Sequence, residues 1–434
     1  LPICAYRVCA DGPGVTAACD CRSPGVSNRH RPGPPVNLPP MARYLLLCWR
    51  DSSHPQGGGS ERYLEHIGRY LAASGHEVVF RTAKYRGAAR TESAGGVTFR
   101  RGGRRLSVYP RACLFLLRER AAARMGRREA FSAVIDTQNG VPFFAATFSG
   151  APTVVLTHHC HREQWPVAGP VLARIGWWIE SRLSPRVHRR RQWLTVSRPS
   201  AAELATLGVP ASHIAVIRNG VDPIPAGISA GTPSGHAPGP RLVVLSRLVP
   251  HKHVEDALSL LAELLPDLPD LHLDVIGGGW WEPQLRKHAD ALGVSGATTF
   301  HGHVSEPRKH EILRTATVHL MPSRKEGWGL AVMEAGQHRV PTIGYTHAAG
   351  LRDSIDTGRT GILVDGLDGM IAATRELLAD RARLERMGEA ARDKAAGFSW
   401  ESAGAAAAWL LSEAATGRVH SGVIDPPADS GRER

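Results

Sequence analysis

Short apolar runs alternate with longer amphipathic segments along most of this chain, and this alternation constrains the fold more than any other feature. A strand-like run at 43–50 is followed by a glycine loop, an amphipathic segment and a second apolar run at 77–80. A Pro/Gly/Ser-rich stretch at 223–240 interrupts the pattern, which then restarts. Alternating strands and helices are typical of parallel sheets covered by helices on both faces. We therefore predict an α/β protein with two Rossmann-like, doubly wound domains.

The same periodicities place the individual elements. Further strands are predicted at 133–136, 153–156, 193–196, 241–245, 271–276, 318–321, 342–344 and 361–364. Helices are predicted at 254–265, 281–292, 306–315, 331–338, 369–378, 381–396 and 400–415. Since ligands of doubly wound sheets bind outside the carboxyl ends of the strands, two such domains predict a binding cleft between them.

The chain of 434 residues divides into six predicted segments. Residues 1–40 are rich in Pro and Gly and carry four of the seven cysteines without a zinc-like spacing, so we expect a disordered leader, with Met41 as the natural start. The first domain is expected at 41–222, the linker at 223–240 and the second domain at 241–398. A last helix is expected at 399–416 and a disordered tail at 417–434.

Charge is distributed unevenly between the two halves. Residues 41–222 contain 27 Lys and Arg against 12 Asp and Glu, whereas residues 223–434 contain 22 against 26. The first half, at +15, therefore favours anionic partners, such as a phosphate-bearing acceptor, an acidic lipid surface or nucleic acid. Aromatic residues make up only 6% of the chain, and no stacking platform is apparent, so nucleic acid is not expected.

Two glutamates, Glu326 and Glu334, bracket a seven-residue spacer that contains a Gly-x-Gly turn and the start of a predicted helix. Apolar runs on both sides indicate strand, loop, helix and strand. A helix N-terminus offers free backbone N–H groups and suits a phosphate, whereas carboxylates suit hydroxyl groups. A ligand with a diphosphate between two hydroxyl-bearing rings satisfies both, and a nucleotide-sugar is such a ligand.

The stretch from Ser323 to Ala335 resembles the E-x7-E signature of retaining family-4 glycosyltransferases, which have the GT-B fold. The resemblance implies that Glu326 contacts the donor sugar and Glu334 the ribose. It also implies donor contacts at Gly329 and Leu330, and a C-terminal helix that crosses back to the first domain. In that family the reaction is generally thought to occur on one face of the sugar.

Arg247 and Lys252 follow the first predicted strand of the second half. Cations at the carboxyl end of such a strand face the ligand crevice. The pair resembles the family's Arg-x4-Lys motif, which implies that both grip the donor diphosphate and stabilise charge on the departing nucleotide. No metal or other cofactor is therefore expected.

Three histidines, His158, His159 and His161, follow the predicted strand 153–156. Their H-H-x-H spacing is not that of a helical zinc pair. The family has an active-site histidine at the end of this strand. His159 is the better match, with His158 as the alternative, and histidines packed at a domain edge are the structural interpretation.

Two glycine runs also match the family. Gly57, Gly58 and Gly59 follow the first strand, and Gly277 and Gly278 begin a Gly-Gly-Gly turn after the strand 271–276. Glycine lets a backbone approach a ligand closely, so both runs are predicted to lie against the donor. Neither run spells G-x-G-x-x-G with an acidic residue at the expected distance, which disfavours a dinucleotide dehydrogenase.

Residues 170–183 form an amphipathic pattern, followed by a cluster of arginines from Arg186 to Arg191. Six apolar residues share one face: Val171, Leu172, Ile175, Trp178, Ile179 and Leu183. We favour burial of this face in the core. A basic amphipathic helix can also lie on an anionic membrane, and the arginine cluster leaves that interpretation open.

The preferred hypothesis is a retaining glycosyltransferase that moves a hexose from a UDP- or GDP-linked sugar to an anionic or glycan acceptor, lipid-linked or part of the cell envelope. We expect it in the cytoplasm, with the inner face of the plasma membrane as a second location. No apolar run approaches the roughly 20 residues that span a bilayer. The alternatives are a GT-B epimerase or phosphorylase, and a basic module that binds membrane or nucleic acid.

Overall fold

The computed structural model describes residues 41–54, 57–229 and 239–425. The predicted leader at 1–40 lies outside these ranges, as do half of the predicted linker and the last nine residues. Within them the chain forms two α/β domains, each built on its own sheet.

The first domain surrounds a nine-stranded sheet whose order is β15-β8-β7-β6-β5-β1-β2-β4-β3. The pairings are parallel except for the β3–β4 hairpin at one edge. Its strands are β1 (Arg43–Leu47), β2 (Glu77–Thr82), β3 (Thr91–Ala94), β4 (Val97–Arg101), β5 (Ala133–Thr137), β6 (Thr153–Leu156), β7 (Gln192–Thr195), β8 (Ile214–Val216) and the C-terminal β15 (Gly422–Val423). Its helices are α1 (Gly59–Ala73), α2 (Val108–Arg124), α3 (Ala145–Phe148), α4 (Pro170–Trp178), α5 (Ser184–Val187) and α6 (Arg198–Thr206).

The second domain has a six-stranded parallel sheet of order β11-β10-β9-β12-β13-β14. Its strands are β9 (Arg241–Leu245), β10 (His272–Ile276), β11 (Thr298–Gly302), β12 (Val318–Met321), β13 (Thr342–Tyr345) and β14 (Gly361–Val364). The helices are α7 (Val254–Leu264), α8 (Glu282–Ala291), α9 (Glu306–Leu313), α10 (Leu330–Gly336), α11 (Leu351–Ser354), α12 (Gly366–Ala379) and α13 (Arg381–Ala396). The fold prediction of two doubly wound domains is confirmed.

The last helix, α14 (Trp400–Ala415), crosses back and packs on α1 of the first domain. The ring of His66 on α1 stacks on Trp400 with centroids 4.1 Å apart and an interplanar angle of 1°. A Cβ at Gly404 would lie 2.4 Å from the Tyr70 ring, so the small residue lets the two helices approach closely. Half of the residues of α14 are buried, and one apolar cluster contains residues of both domains together with this helix.

Several elements differ from the prediction. The hairpin β3–β4, the short strand β8, the edge strand β11 and α2 were not predicted, because their short or mixed patterns lack a clear period. Disorder was predicted from Gly417, but residues 417–425 are described, and β15 pairs with β8. The backbone of this short strand completes the edge of the first sheet.

The prediction that the apolar face of residues 170–183 is buried is wrong. Val171, Leu172, Ile175 and Trp178 are 50–66% exposed. The face toward the protein is made instead by Gly176, Glu180 and Ser184, which are four residues apart. Gly176 fits there because the Trp165 ring lies only 2.2 Å from where a Cβ would stand. A π-helical segment, Ile179–Leu183, follows α4 and brings Glu180 inward.

Candidate active site

The two domains face each other through the carboxyl ends of their strands. The loop after β1 approaches the segment after β9, and the residues after β6 approach the loop after β12. Three ion pairs join the domains across this cleft: Lys325 with Glu203 at 2.6 Å, Arg218 with Asp353 at 2.9 Å, and Arg62 with Glu306 at 3.3 Å. The cleft is therefore closed by contacts on several sides.

Glu326 lies in the loop between β12 and α10 and pairs with Lys252, whose Nζ is 2.5 Å from Glu326 Oε1. The two residues are 74 positions apart in sequence, and adjacent strands β9 and β12 bring them together. Burial acts to raise the pKa of the Glu326 carboxyl, but Lys252 and a hydrogen bond from Ser323 outweigh it and lower that pKa. Glu326 is therefore an ionised acceptor at neutral pH.

Arg247 extends from the end of β9 into the cleft toward the glycine loop of the first domain. Its Nε lies 3.8 Å from the position that a Cβ of Gly58 would occupy. Burial, and then the nearby guanidinium of Arg50, lower the pKa of Arg247. Arg50 itself pairs with buried Glu61, with Arg50 Nε 2.7 Å from Glu61 Oε1. Two guanidinium groups and the N-terminus of α1 thus converge, and a phosphate would suit the space between them.

The glycines of the first loop have separate roles. A Cβ at Gly57 would lie 2.6 Å from Ser52 O, so this position requires glycine. The N–H of Gly58 donates to Glu61 Oε2 at 2.8 Å. Gly59 is the first residue of α1 and has open space around it. Gly57 and Gly58 are therefore held at the cleft by these contacts, with Gly58 facing Arg247.

The second glycine turn contacts the residues on both sides of Arg247. Gly277 has φ +121°, and a Cβ there would lie 1.9 Å from Ser246 O. Gly279 is equally tight, with Leu248 O at 2.0 Å. Gly278 has no such constraint, since its nearest neighbour would be 3.8 Å away, and its carbonyl accepts from the Leu248 N–H. The turn thus fixes the chain on both sides of Arg247.

His159 and His158 have different surroundings. His158 is buried edge-on against Tyr63, with centroids 5.2 Å apart. His159 Nε2 lies 3.0 Å from Gln164 Nε2, and its Nδ1 would lie 3.5 Å from a Cβ at Gly327, in the loop of Glu326. Desolvation, then His161, lower the pKa of His159 well below its usual value. It is therefore neutral at pH 7, and its side chain faces the loop that carries Glu326.

His161 belongs to a hydrogen-bonded group with Glu180 and Trp165. Its Nδ1 lies 3.0 Å from Glu180 Oε1, and Glu180 Oε2 accepts from Trp165 Nε1 at 2.7 Å. The three histidines therefore point to three different partners. Across the described ranges, no group of three or more His, Cys, Asp or Glu side chains is arranged to hold a metal ion.

Glu334 lies on α10 and is 9% exposed. Its Oε1 accepts from Lys309 Nζ at 2.6 Å, and the same ammonium lies 2.5 Å from Glu306 Oε2. Burial acts to lower the pKa of Lys309, but Glu334 and Glu306 outweigh it and raise that pKa. Lys309 thus holds the second glutamate of the motif in one orientation.

The start of α10 has a constrained backbone. Gly329 has φ +96°, and a Cβ there would lie 2.9 Å from Leu351 Cδ2. The Leu330 side chain packs against the apolar cluster at the domain junction. A donor contact at Leu330 would therefore involve its backbone.

Sequence reasoning missed Lys309, Arg50 and Lys325. Lys309 carried a signal, because it lies three and four residues before Ile312 and Leu313 and so shares their buried helix face. Arg50 and Lys325 carried no such signal. Arg50 pairs with Glu61, and Lys325 pairs with Glu203 of the other domain.

Two parallel-sheet domains, a cleft at their strand ends and a helix that crosses back define the GT-B class of glycosyltransferase. The solved sucrose-phosphate synthase from Thermosynechococcus elongatus has this arrangement, with a TM-score of 0.67 at 18% identity over 83% of this chain and 96% of that one. At such identity the likeness concerns the fold.

Residues 57–224 match the family described as Glycosyltransferase Family 4, and residues 235–394 match Glycosyl transferases group 1. The chain is 30% identical over 391 residues to a GDP-mannose-dependent alpha-(1-6)-phosphatidylinositol monomannoside mannosyltransferase of Mycolicibacterium smegmatis, covering 85% of this chain and 98% of the relative. It is 28% identical over 416 residues to glycogen synthase of Mycobacterium tuberculosis, covering 86% and 95%. The chain belongs to glycosyltransferase family 4 and is a hexosyltransferase. The alternative of a non-catalytic binding module is therefore wrong.

Proposed function

We propose that this enzyme transfers a hexose from a UDP- or GDP-linked sugar to an acceptor hydroxyl with retention at the anomeric carbon. The observation that carries the proposal is the buried pair of Lys252 and Glu326 beside Arg247. It combines an ionised acceptor for sugar hydroxyls with cations for a diphosphate. The mannosyltransferase relative is named for a GDP-linked donor, which supports the donor class.

In this proposal each residue has one task. Glu326 accepts hydrogen bonds from the donor sugar, and Glu334, held by Lys309, accepts them from the ribose. Arg247 and Lys252 stabilise the negative charge that develops on the nucleotide diphosphate as it leaves, without a metal. Neutral His159 donates or accepts a hydrogen bond near the sugar and the acceptor hydroxyl.

The chemical step exchanges one bond for another at the anomeric carbon. The bond to the diphosphate oxygen breaks, and the bond to the acceptor oxygen forms on the same face of the sugar. The acceptor's proton passes to the departing phosphate oxygen, so the released nucleotide carries it away. The cations that hold this phosphate therefore assist both the departure and the proton transfer.

The assignment is tested with Glu326→Gln, which keeps the shape but removes the charge. We expect kcat to fall by about 100-fold, with the folded state intact by circular dichroism and a Glu311→Gln variant, at an exposed glutamate on α9, unchanged. Donor turnover is read by nucleotide release from UDP- and GDP-sugars, with and without lipid-phosphate or soluble acceptors. Full transfer activity in Glu326→Gln would refute the role, and a new sugar isomer formed without acceptor would identify an epimerase.

The proposal includes a peripheral contact with an anionic membrane, which would place the acceptor side of the enzyme beside lipid-linked substrates at the inner face of the plasma membrane. The exposed apolar face of α4 is flanked by exposed arginines, among them Arg174, Arg182 and Arg186. An apolar helix face with a basic margin suits the interface of an acidic bilayer. No helix in the described part of the chain has the length and apolar character needed to cross a membrane.

Vesicle co-sedimentation tests this contact. Ile175→Ser/Trp178→Ser should weaken binding to vesicles of phosphatidylglycerol by at least about tenfold, given the apolar area removed. Trp280→Ser is the matched control, since Trp280 is 58% exposed but lies in the second domain. Equal binding of native protein and double variant would exclude α4 as the contact.

A further inference from the structure

A second cavity, of 790 Å³, lies in the first domain at the carboxyl ends of β1, β2 and β4. Trp49 and His54 follow β1, Tyr85 follows β2, and the turn at Gly103 follows β4. This is the side of the sheet that faces the cleft. The cavity has no part in the donor contacts described above.

Its lining is strongly basic and contains no carboxylate. Five cationic side chains surround it: Lys84, Arg86, Arg104, Arg105 and Arg111. All five are exposed, and within the described ranges none forms an ion pair with an Asp or Glu. The nearby acids are already used, because Asp51 and Glu92 both bind buried Arg101, each at 2.6 Å.

The backbone adds to this positive potential. Ser107 directly precedes the 17-residue helix α2 and lines the cavity, so the positive end of the helix dipole points toward it. The turn before the cap is tight, since Gly103 has φ +87° and a Cβ there would lie 2.6 Å from Val108 N. Beneath the cavity, burial and then Arg111 and Arg100 lower the pKa of Arg81, as expected where cations crowd together.

The lining of the cavity is bonded to the glycine loop of the reaction cleft. The His54 ring lies 5.7 Å from Trp49 and 5.4 Å from Tyr85, which forms an aromatic wall. The carbonyl of His54 accepts from the Gly57 N–H at 2.7 Å, and the adjacent Gly58 faces Arg247. A residue of the cavity lining is therefore hydrogen-bonded to the glycine loop that faces Arg247.

We propose that this cavity binds the phosphoester group of the acceptor and so selects phosphate-bearing acceptors over neutral glycans. The inference rests on the proposed function, because it names the acceptor class for that same reaction. The relatives' names differ on this point: one is named for a phosphatidylinositol mannoside, the other for glycogen, a neutral glucan. Five unpaired cations around one cavity favour the charged acceptor, since a neutral glucan would leave them uncompensated.

The binding test uses glycerol 3-phosphate, with glycerol as its neutral counterpart, in calorimetry with saturating UDP or GDP to occupy the donor site. We expect the native protein to bind glycerol 3-phosphate and not glycerol. The variant Arg104→Gln/Arg105→Gln should bind it at least about tenfold more weakly. Arg118→Gln, on the same helix two turns beyond Arg111 and outside the cavity, should match the native protein.

Two further arms separate the possible sources of the phosphoester and the possible failures. Vesicles of phosphatidylcholine with phosphatidylinositol that displace glycerol 3-phosphate identify a lipid headgroup, and failure to displace it identifies a soluble phosphoester.

Equal affinity of native protein and double variant for glycerol 3-phosphate, or no binding by either, overturns the inference. Transfer by the native protein to a neutral glycan with the same kcat/KM as to a phosphate-bearing acceptor also overturns it, yet leaves the proposed function standing. If the native protein bound neither UDP nor GDP, the proposed function itself would be refuted.

Discussion

Lys252 Nζ lies 2.5 Å from Glu326 Oε1, so the cation after β9 and the first glutamate of the E-x7-E motif form one ion pair in the cleft between the domains. Both side chains are at least 86% removed from solvent, with exposed fractions of 14% and 10%. A partly buried pair of this kind is sensitive to loss of either partner.

Replacing Lys252 by Ala removes a phosphate partner and leaves the Glu326 carboxylate without its cation. We expect UDP or GDP affinity to fall by about tenfold or more, because a charge-assisted contact is lost. Calorimetry measures the change, with exposed Lys287→Ala as the control. Unchanged nucleotide affinity would contradict a phosphate role for Lys252.

Replacing Lys309 by Met should destabilise the protein by about 3–5 kcal/mol, because Glu334 is left buried and unpaired. The double variant Lys309→Met/Glu334→Leu should recover most of that stability, since both charges are gone. It should still bind UDP or GDP poorly, because no carboxylate remains for the ribose. Urea denaturation measures the effect on stability, and calorimetry measures the effect on nucleotide binding. Full nucleotide affinity in the double variant would show that Glu334 does not contact the nucleotide.

Gly277→Ala should destabilise the second domain by about 1–3 kcal/mol and lower nucleotide affinity. The new Cβ would stand 1.9 Å from Ser246 O at a φ of +121°, which forces the residues beside Arg247 to move. Gly278→Ala is the neighbouring control, since its Cβ would meet nothing closer than 3.8 Å. Thermal unfolding of the two variants should differ clearly; equal midpoints would show that the turn tolerates a side chain.

His319 should contribute to acid sensitivity. Burial lowers its pKa from 6.5 to about 4 in the folded protein, and its Nδ1 is 2.9 Å from Thr342 Oγ1. As pH falls below 6.5 the unfolded chain takes up a proton that the folded protein excludes, so stability is present above pH 6.5 and is lost between pH 6.5 and about 4. In His319→Gln, the free energy of unfolding should depend less steeply on pH in this window, by up to about 1.4 kcal/mol per pH unit. Urea titrations at several pH values, with exposed His303→Asn as control, would show equal slopes if His319 were not responsible.

Local sequence patterns were sufficient for much of the fold. The bounds of β6, β9, β12, β14, α13 and α14 agree with the predictions residue for residue. These elements have clear periods or short uninterrupted apolar runs, so the chain's own chemistry specifies them. The family assignment likewise rested on a contiguous motif, from Ser323 to Ala335, and it is confirmed.

Local sequence patterns predicted the site residues only in part. The motif named Glu326, Arg247 and Lys252, and their catalytic roles stay predictions. Their juxtaposition depends on β9 and β12 being neighbours in the second sheet, which no local pattern encodes. The helix pattern indicates that Lys309 shares a buried face, but its pairing with Glu334, 25 residues away on another helix, has no local signal.

The sequence by itself determined two doubly wound domains and the residue types of the E-x7-E motif, because periodicity and motif spacing act over short distances along the chain. Tertiary structure decided which faces are buried. The apolar side of α4 points to solvent because Gly176, rather than a leucine, accommodates the Trp165 ring on the inner side. It also decided which charges meet, since Glu326 has a cation, Asp51 has Arg101, and the arginines around the cavity of the first domain have no carboxylate within the described residues. Packing between distant segments sets these relations, and that information is not present in any single stretch of the chain.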